Sequence, residues 1–173
     1  ALPLYHIFAL TTNMLVFTHV GGLNVLITNP RDLPGFVKEL SKVKFTFITG
    51  VNTLFNALLH TPGFKDLDFG SLKVSLGGGM AVQEAVSEKW RQVTGRHICQ
   101  GWVLTESSPV GTANIPRDPS FTGSIGYPIP STEISIRDDD GNPLPIGEVG
   151  EICIRGPQVM RGYWMRPEET EKV

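Results

Sequence analysis

The run QGWVLTESSP, Gln100 to Pro109, closes an apolar stretch with Thr105 and Glu106 side by side. A hydroxyl donates to a phosphate oxygen, and a neighbouring carboxylate holds a hard cation that bridges phosphates. An ordinary strand end would be content with Asn, Asp or Gly. A second feature, SLGGGMAV (75–82), sets Gly77, Gly78 and Gly79 between a strand-like and a helix-like segment. Glycines there let a ligand approach the backbone, and a helix start offers unpaired N–H groups to an anion. A tight strand-to-helix turn explains the same glycines equally well, so both readings stay open. Val82 stands where a dinucleotide fingerprint needs a small residue, and no G-x-x-x-x-G-K-[ST] run occurs, which removes two phosphate motifs.

Other chemistry-bearing residues are less telling. RDDDGN (137–142) would need an acid at Ile136 and a glutamate at Gly147 to form a calcium loop, so it reads as a turn. His6 lies before a long apolar stretch, where a lone histidine is usually a satisfied core residue. His19, His60 and His97 have no ligand spacing, and neither Cys99 nor Cys153 has the partners of a zinc site. A hydrolase elbow of the G-x-S-x-G type is absent.

Elements must position these groups. From Gly22 to about Glu106 the pattern alternates between strand and helix. NVLIT (24–28) predicts a strand, and Asp32 to Val43 places Phe36, Val37, Leu40 and Val43 on one helical face. FTFIT (45–49) predicts the next strand, followed by a helical stripe of Val51, Leu54, Phe55, Leu58 and Leu59. KVSL (73–76) predicts a short strand, then a helix from Met80 to Thr94 stopped by Gly95. HICQ (97–100) predicts the last strand of this part. Successive βα units predict a parallel sheet with packed helices. Beyond Pro109 the character changes: prolines and glycines crowd Asn114 to Ser131, and TEISIR (132–137) and GEICIR (150–155) predict an antiparallel hairpin-like pair. The expected organisation is an α/β part over residues 1–115 and the start of a β-rich part over 116–173.

Composition bounds the function. Hydrophobic residues make up 40% and charged residues 18% of the 173, which allows a real core and argues against disorder. A net charge of −2 argues against nucleic acid as the main partner. Cys99 and Cys153 lie in apolar β-like runs and read as buried core thiols of a reduced, intracellular protein, with a disulfide a distant second. The longest apolar stretch, from Ile7 to Thr28, is broken by Thr11, Thr12, Asn13, His19 and Gly21-Gly22, so no transmembrane segment is expected. The chain opens ALPLYHIF without Met and closes RPEETEKV in what reads as the first turn of a helix, as a segment of a longer protein would.

The order of motifs carries more than any one of them. PLYHIF, TGVNTLFNALL, SLGGGM, GWVLTESSP, GSIGYPIPSTEISI and GEVGEICIRGPQVMRGYW follow in one succession. That succession resembles the AMP-forming acyl-adenylating superfamily of acyl-CoA synthetases, adenylation domains and luciferases. Within it the chain is most similar to bacterial long-chain fatty acid CoA ligases. The resemblance covers essentially the whole chain and is most specific in LTE and GEICIRGPQVMRGYW. It implies an acetyl-CoA synthetase-like α/β fold, incomplete here, whose β-rich part begins a barrel-like subdomain.

The resemblance also implies a reaction: a carboxylate joins ATP to give an acyl-adenylate and pyrophosphate, and the acyl group then passes to the thiol of coenzyme A. By match to the family motifs, Thr105 bonds the α-phosphate and Glu106 ligates Mg2+, the implied cofactor. Trp102 falls where the family usually has a tyrosine stacked on adenine. Gly77, Gly78, Gly79, Gln100 and Gly101 line the nucleotide site, His6 sits by the reacting carboxylate, and Val51 and Val103 border the acyl tunnel. The implied partners are ATP, a fatty acid and coenzyme A; a homodimer and a peripheral contact with the inner face of the cytoplasmic membrane stay open. Trp102-Val103 replaces the usual Tyr-Gly, and the added valine side chain takes room. The family's phosphate loop would precede Ala1, and its ribose-binding aspartate, hinge and catalytic lysine would follow Val173. Enzyme activity is therefore expected of the full-length protein and not of this segment alone. An acyl-AMP or aryl-CoA ligase, and a non-catalytic nucleotide- or acyl-binding relative, are the alternatives. Retention of Thr105 and Glu106 counts against the last.

Overall fold

The structure, a computed structural model, describes residues 2–116 and 120–173. It opens on a helical run that the apolar spacing does not predict: α1 (Ile7–Ala9), a π-helical stretch (Leu10–Leu15) and α2 (Val16–His19). His6 starts the run, its Nδ1 accepting from Phe8 N at 3.2 Å, and Gly21 at φ 72° ends it. The polar residues that interrupt the pattern are absorbed by hydrogen bonds. Thr12 Oγ1 donates to Phe8 O at 2.7 Å, and Asn13 Nδ2 donates to Thr49 Oγ1 at 2.8 Å.

The strand predicted at 24–28 does not form. Its β-branched composition suits a pleated surface, but a strand needs a bonded neighbour. The segment instead flanks an apolar groove of ≈ 890 Å³ beside Phe45–Thr49, with Leu23 and Leu26 largely exposed. The next helix, α3 (Leu33–Leu40), is shorter than its pattern and is capped by Asp32, which accepts from Gly35 N at 3.0 Å.

Five strands form the main sheet in chain order: β1 (Phe47–Gly50), β2 (Val74–Gly77), β3 (Ile98–Val103), β4 (Val110–Ala113) and β5 (Tyr127–Pro128). The first three pair in parallel, joined through α4 (Asn52–Leu59) and α5 (Glu84–Thr94). The last two are antiparallel, so the sheet is mixed rather than parallel. The connection from β3 to β4 runs only from Leu104 to Pro109, too short for a parallel crossover, which takes a dozen or more residues.

The core lies where the helices meet this sheet. Trp90 of α5 is fully buried, its ring 4.7 Å from Phe55 and 5.2 Å from Phe64. Its Nε1 donates to Ser75 Oγ of β2 at 2.9 Å, so the indole's polar tip is satisfied. Beyond the sheet, β6 (Glu133–Arg137) and β7 (Glu151–Arg155) form the predicted antiparallel pair. The acidic loop between them is a turn: Asp138 Oδ1 accepts from Asp140 N and Asn142 N, and Gly141 takes φ 82°. Among the described residues β6 and β7 make a two-stranded sheet and no closed barrel. Cys99 is buried as expected, whereas Cys153 on β7 is only half-buried, because that hairpin has one face open.

Candidate active site

The C-terminal ends of β1, β2 and β3 lie side by side, the edge at which open α/β sheets bind ligands. Gly50 pairs with Gly77, and Gly77 with Gln100. The glycine run divides its work. A Cβ on Gly77 would sit 2.7 Å from Val82 and 2.9 Å from Ile98, so this glycine serves the tight turn. A Cβ on Gly78 would meet the Phe8 ring at 3.0 Å and Gly101 O at 3.4 Å. Gly79 is exposed at φ 78°, with Val51 as its neighbour. Helix α5 starts at Glu84, later than its pattern, because Met80–Gln83 form a connecting turn. Two amides there are already bonded, Val82 N to Gln100 Oε1 at 3.1 Å and Gln83 N to Asn52 Oδ1 at 3.0 Å. The amides of Val82 and Gln83 are therefore committed within the chain rather than open to an anion. Gly78 is buried against Phe8, and Gly79 keeps its backbone exposed.

Phe8 on Gly78 brings the start of the helical run to this edge. His6 is exposed rather than a core residue, since its ring caps the helix and faces outward. Thr11 Oγ1 donates to Ser108 O at 3.2 Å, tying the same run to the turn after β3. Phe55, on the helical stripe that includes Val51, is fully buried against Trp90 and belongs to the core.

Thr105–Ser107 forms a single 3₁₀ turn, closed by Ser108 at φ 55°. Buried Ser107 braces it, its Oγ 2.6 Å from Pro109 O. Thr105 projects outward and Glu106 is half-buried. Two groups from the far end of the chain reach Glu106: Met160 N donates to its carbonyl at 2.8 Å, and the Tyr163 hydroxyl donates to its Oε1 at 2.7 Å. The Tyr163 bond, helped by backbone at the turn, holds the Glu106 carboxyl below the ordinary carboxylate value. The same bond raises the Tyr163 phenol above its own. Sequence reasoning missed Tyr163 and Thr11 as parts of this site.

Trp102 and Val103 face opposite sides of β3, and a register irregularity lies between them. Such bulges re-aim side chains near sites. The half-buried indole rests on Gly111, where a Cβ would lie 2.6 Å from the ring and 3.0 Å from Ile154 of β7. Gln100 is buried, its side chain committed to Val82.

The donor set fits one magnesium ion held mainly by a substrate. Glu106 offers a single carboxylate with Oε1 bonded to Tyr163, so Oε2 would be the oxygen to hold a cation. Among the described residues no cluster of His, Cys, Asp and Glu forms an all-protein cage. Magnesium is commonly bound by one or two carboxylates plus phosphates and water.

Residues 1–164 match the AMP-binding enzyme family. The chain belongs to that family. It is 59% identical over 173 residues to a long-chain-fatty-acid–CoA ligase of Yersinia pestis, covering 100% of this chain and 31% of that protein. The chain thus spans about a third of the length of the curated relatives it matches. Among AMP-binding enzymes of known structure, it superposes on the anthranilate CoA ligase AuaEII in complex with anthranoyl-AMP with a TM-score of 0.90 at 27% identity, over 98% of this chain and 33% of that one. A long-chain-fatty-acid-CoA ligase from Archaeoglobus fulgidus superposes with a TM-score of 0.82 at 28% identity, over 99% of this chain and 36% of that one.

Proposed function

We propose that this chain is the nucleotide- and acyl-site segment of an ATP-dependent long-chain fatty acid CoA ligase. The observation that carries the reading is the turn after β3, which presents Thr105 and the tethered Glu106 carboxylate at the mouth of the parallel strands. Identity to a fatty acid CoA ligase across the whole chain supports the substrate class.

In this reading the Thr105 hydroxyl donates to an α-phosphate oxygen, and Glu106 Oε2 holds Mg2+. The ion, when bound, neutralises phosphate charge as the fatty acid carboxylate attacks the α-phosphorus and pyrophosphate leaves. Gly79 and Gly101 let the nucleotide approach bare backbone, while Gly77 and Gly78 keep the turn beside them tight. Trp102 offers an indole face to adenine, with Gly111 as its floor. Gln100 acts through Val82, holding the glycine turn in place. His6 stands at the reacting carboxylate, and Val51 and Val103 border the acyl chain. In the second step the thiol of coenzyme A attacks the acyl carbonyl and AMP leaves. The division into 1–115 and 116–173, with the second part continuing into a barrel, belongs to the same proposal. So do a cytoplasmic location, a peripheral membrane contact and a homodimer; no helix among the described residues is long and apolar enough to cross a membrane.

Acid-dependent ATP–pyrophosphate exchange by the full-length protein tests the reading. Exchange stimulated by a long-chain fatty acid and not by benzoate is the expected result. Stimulation by benzoate alone would establish the aryl-CoA ligase alternative, and no exchange with either acid would favour a binding-only relative.

A further inference from the structure

Glu106 is held from a distant part of the chain at two points. The segment after β7 runs beside the Thr105–Ser108 turn and bonds it repeatedly. Gln158 Nε2 donates to Val110 O at 3.2 Å and to Thr132 Oγ1 at 2.8 Å, which docks the segment on β4. Met160 N then takes the Glu106 carbonyl, and the Tyr163 hydroxyl takes one carboxylate oxygen. Tyr163 is itself anchored, its N donating to Thr170 Oγ1 at 2.9 Å, while Thr170 Oγ1 donates to Arg166 O at 2.9 Å. An exposed glutamate ordinarily samples several rotamers, and ordering it costs entropy when a metal arrives. Here the backbone and one oxygen are fixed beforehand.

We propose that Tyr163 is a positioning residue for the metal site: it fixes Glu106 Oε1 so that Oε2 is presented to the magnesium of the bound nucleotide. The inference rests on the metal assignment above and deepens it. Partners that orient a metal-binding carboxylate typically change metal affinity about 10- to 100-fold when removed. Tyr163 touches neither nucleotide nor acyl chain in this account, so its loss acts on the metal and leaves acyl recognition alone.

The test uses the full-length ligase with Mn2+ as the probe and a non-hydrolysable ATP analogue, so that no turnover is needed. Protein-dependent Mn2+ binding is followed by electron paramagnetic resonance in wild type, Tyr163→Phe, Thr170→Val and Glu106→Gln. Tyr163→Phe should raise the half-saturating Mn2+ concentration by about 10-fold or more, with the KM for fatty acid unchanged and exchange restored by excess metal. Thr170→Val, which frees the Tyr163 backbone but keeps the ring, should shift it in the same direction by less. Should Tyr163→Phe not fold, Thr170→Val alone decides. Unchanged half-saturation in the folded variants, while Glu106→Gln abolishes binding, would overturn the positioning role and leave the metal assignment standing. Unchanged binding in Glu106→Gln would remove both.

Discussion

The 2.7 Å bond between the Tyr163 hydroxyl and Glu106 Oε1 acts on the titration of both groups, in opposite directions. The folded Glu106 carboxyl lies below its unfolded value, so its contribution to stability is complete above the ordinary carboxylate range and is lost as pH falls through the depressed value. The folded Tyr163 phenol lies above its unfolded value, so its share is complete below the ordinary phenol range and is lost as pH rises through the raised one. The stability difference between wild type and Tyr163→Phe, read from urea midpoints across pH, should therefore form a plateau that falls off at both ends. A difference independent of pH would contradict the bond. At Trp102 the expectation concerns binding: Trp102→Ala should weaken ATP binding by roughly 1–3 kcal/mol, the usual loss when a base loses an aromatic stacking partner. Trp102→Tyr should be mild. Equilibrium titration with a fluorescent ATP analogue checks both, and full affinity in Trp102→Ala would remove the stacking role. Thr105 and Glu106 stand out in the sequence as a candidate pair, a hydroxyl beside a carboxylate at a strand end, and the family resemblance supplies their proposed roles. Tyr163 does not stand out, because it lies 57 residues from Glu106 and no local pattern links them.

At the scale of elements, the apolar stripes predicted α3, α4 and α5 to within a few residues, and the alternating runs predicted β6 and β7 closely. Those patterns report one apolar face, which α3, α4 and α5 bury in the core, whereas β6 and β7 are at most half-buried. The stretch 24–28 has the same composition as a strand but no bonded partner, and composition cannot show that. The helical run from Ile7 was hidden for the reverse reason: Thr12 and Asn13 break its apolar pattern, yet each finds a hydrogen bond in the fold. Register also escaped the sequence, and it is register that sets Trp102 over Gly111. A polar contact between Trp90 Nε1 and Ser75 Oγ, both on fully buried side chains, joins helix to sheet across the core. Ser75→Ala strands the indole N–H without a partner and should cost about 1–3 kcal/mol. Urea unfolding of the full-length protein measures it, and a loss of only a few tenths would mean that the bond is not made.

Over the whole molecule, the apolar surface is not closed. Val20, Leu23, Val25 and Leu26 are exposed around the groove beside β1, and Ile146, Val149, Trp164 and Met165 are exposed later in the chain. The 173-residue chain by itself should therefore self-associate, as large uncovered apolar patches do. It should also bind MgATP weakly, because in the proposed reading Thr105 and Glu106 would supply only one phosphate contact and one metal ligand. Analytical ultracentrifugation and isothermal titration check these points, and a monomer with tight, magnesium-dependent binding would show a complete nucleotide module. The central claim, that the turn after β3 holds the metal of an adenylating enzyme, is tested most directly by fatty-acid-dependent ATP–pyrophosphate exchange in the full-length Glu106→Gln protein. The amide keeps the shape and can still accept from Tyr163, but it gives up the charge. Exchange should fall ~100-fold or more, the usual scale for losing such an electrostatic contact, with thermal stability near wild type. Exchange at close to the wild-type rate would contradict the account.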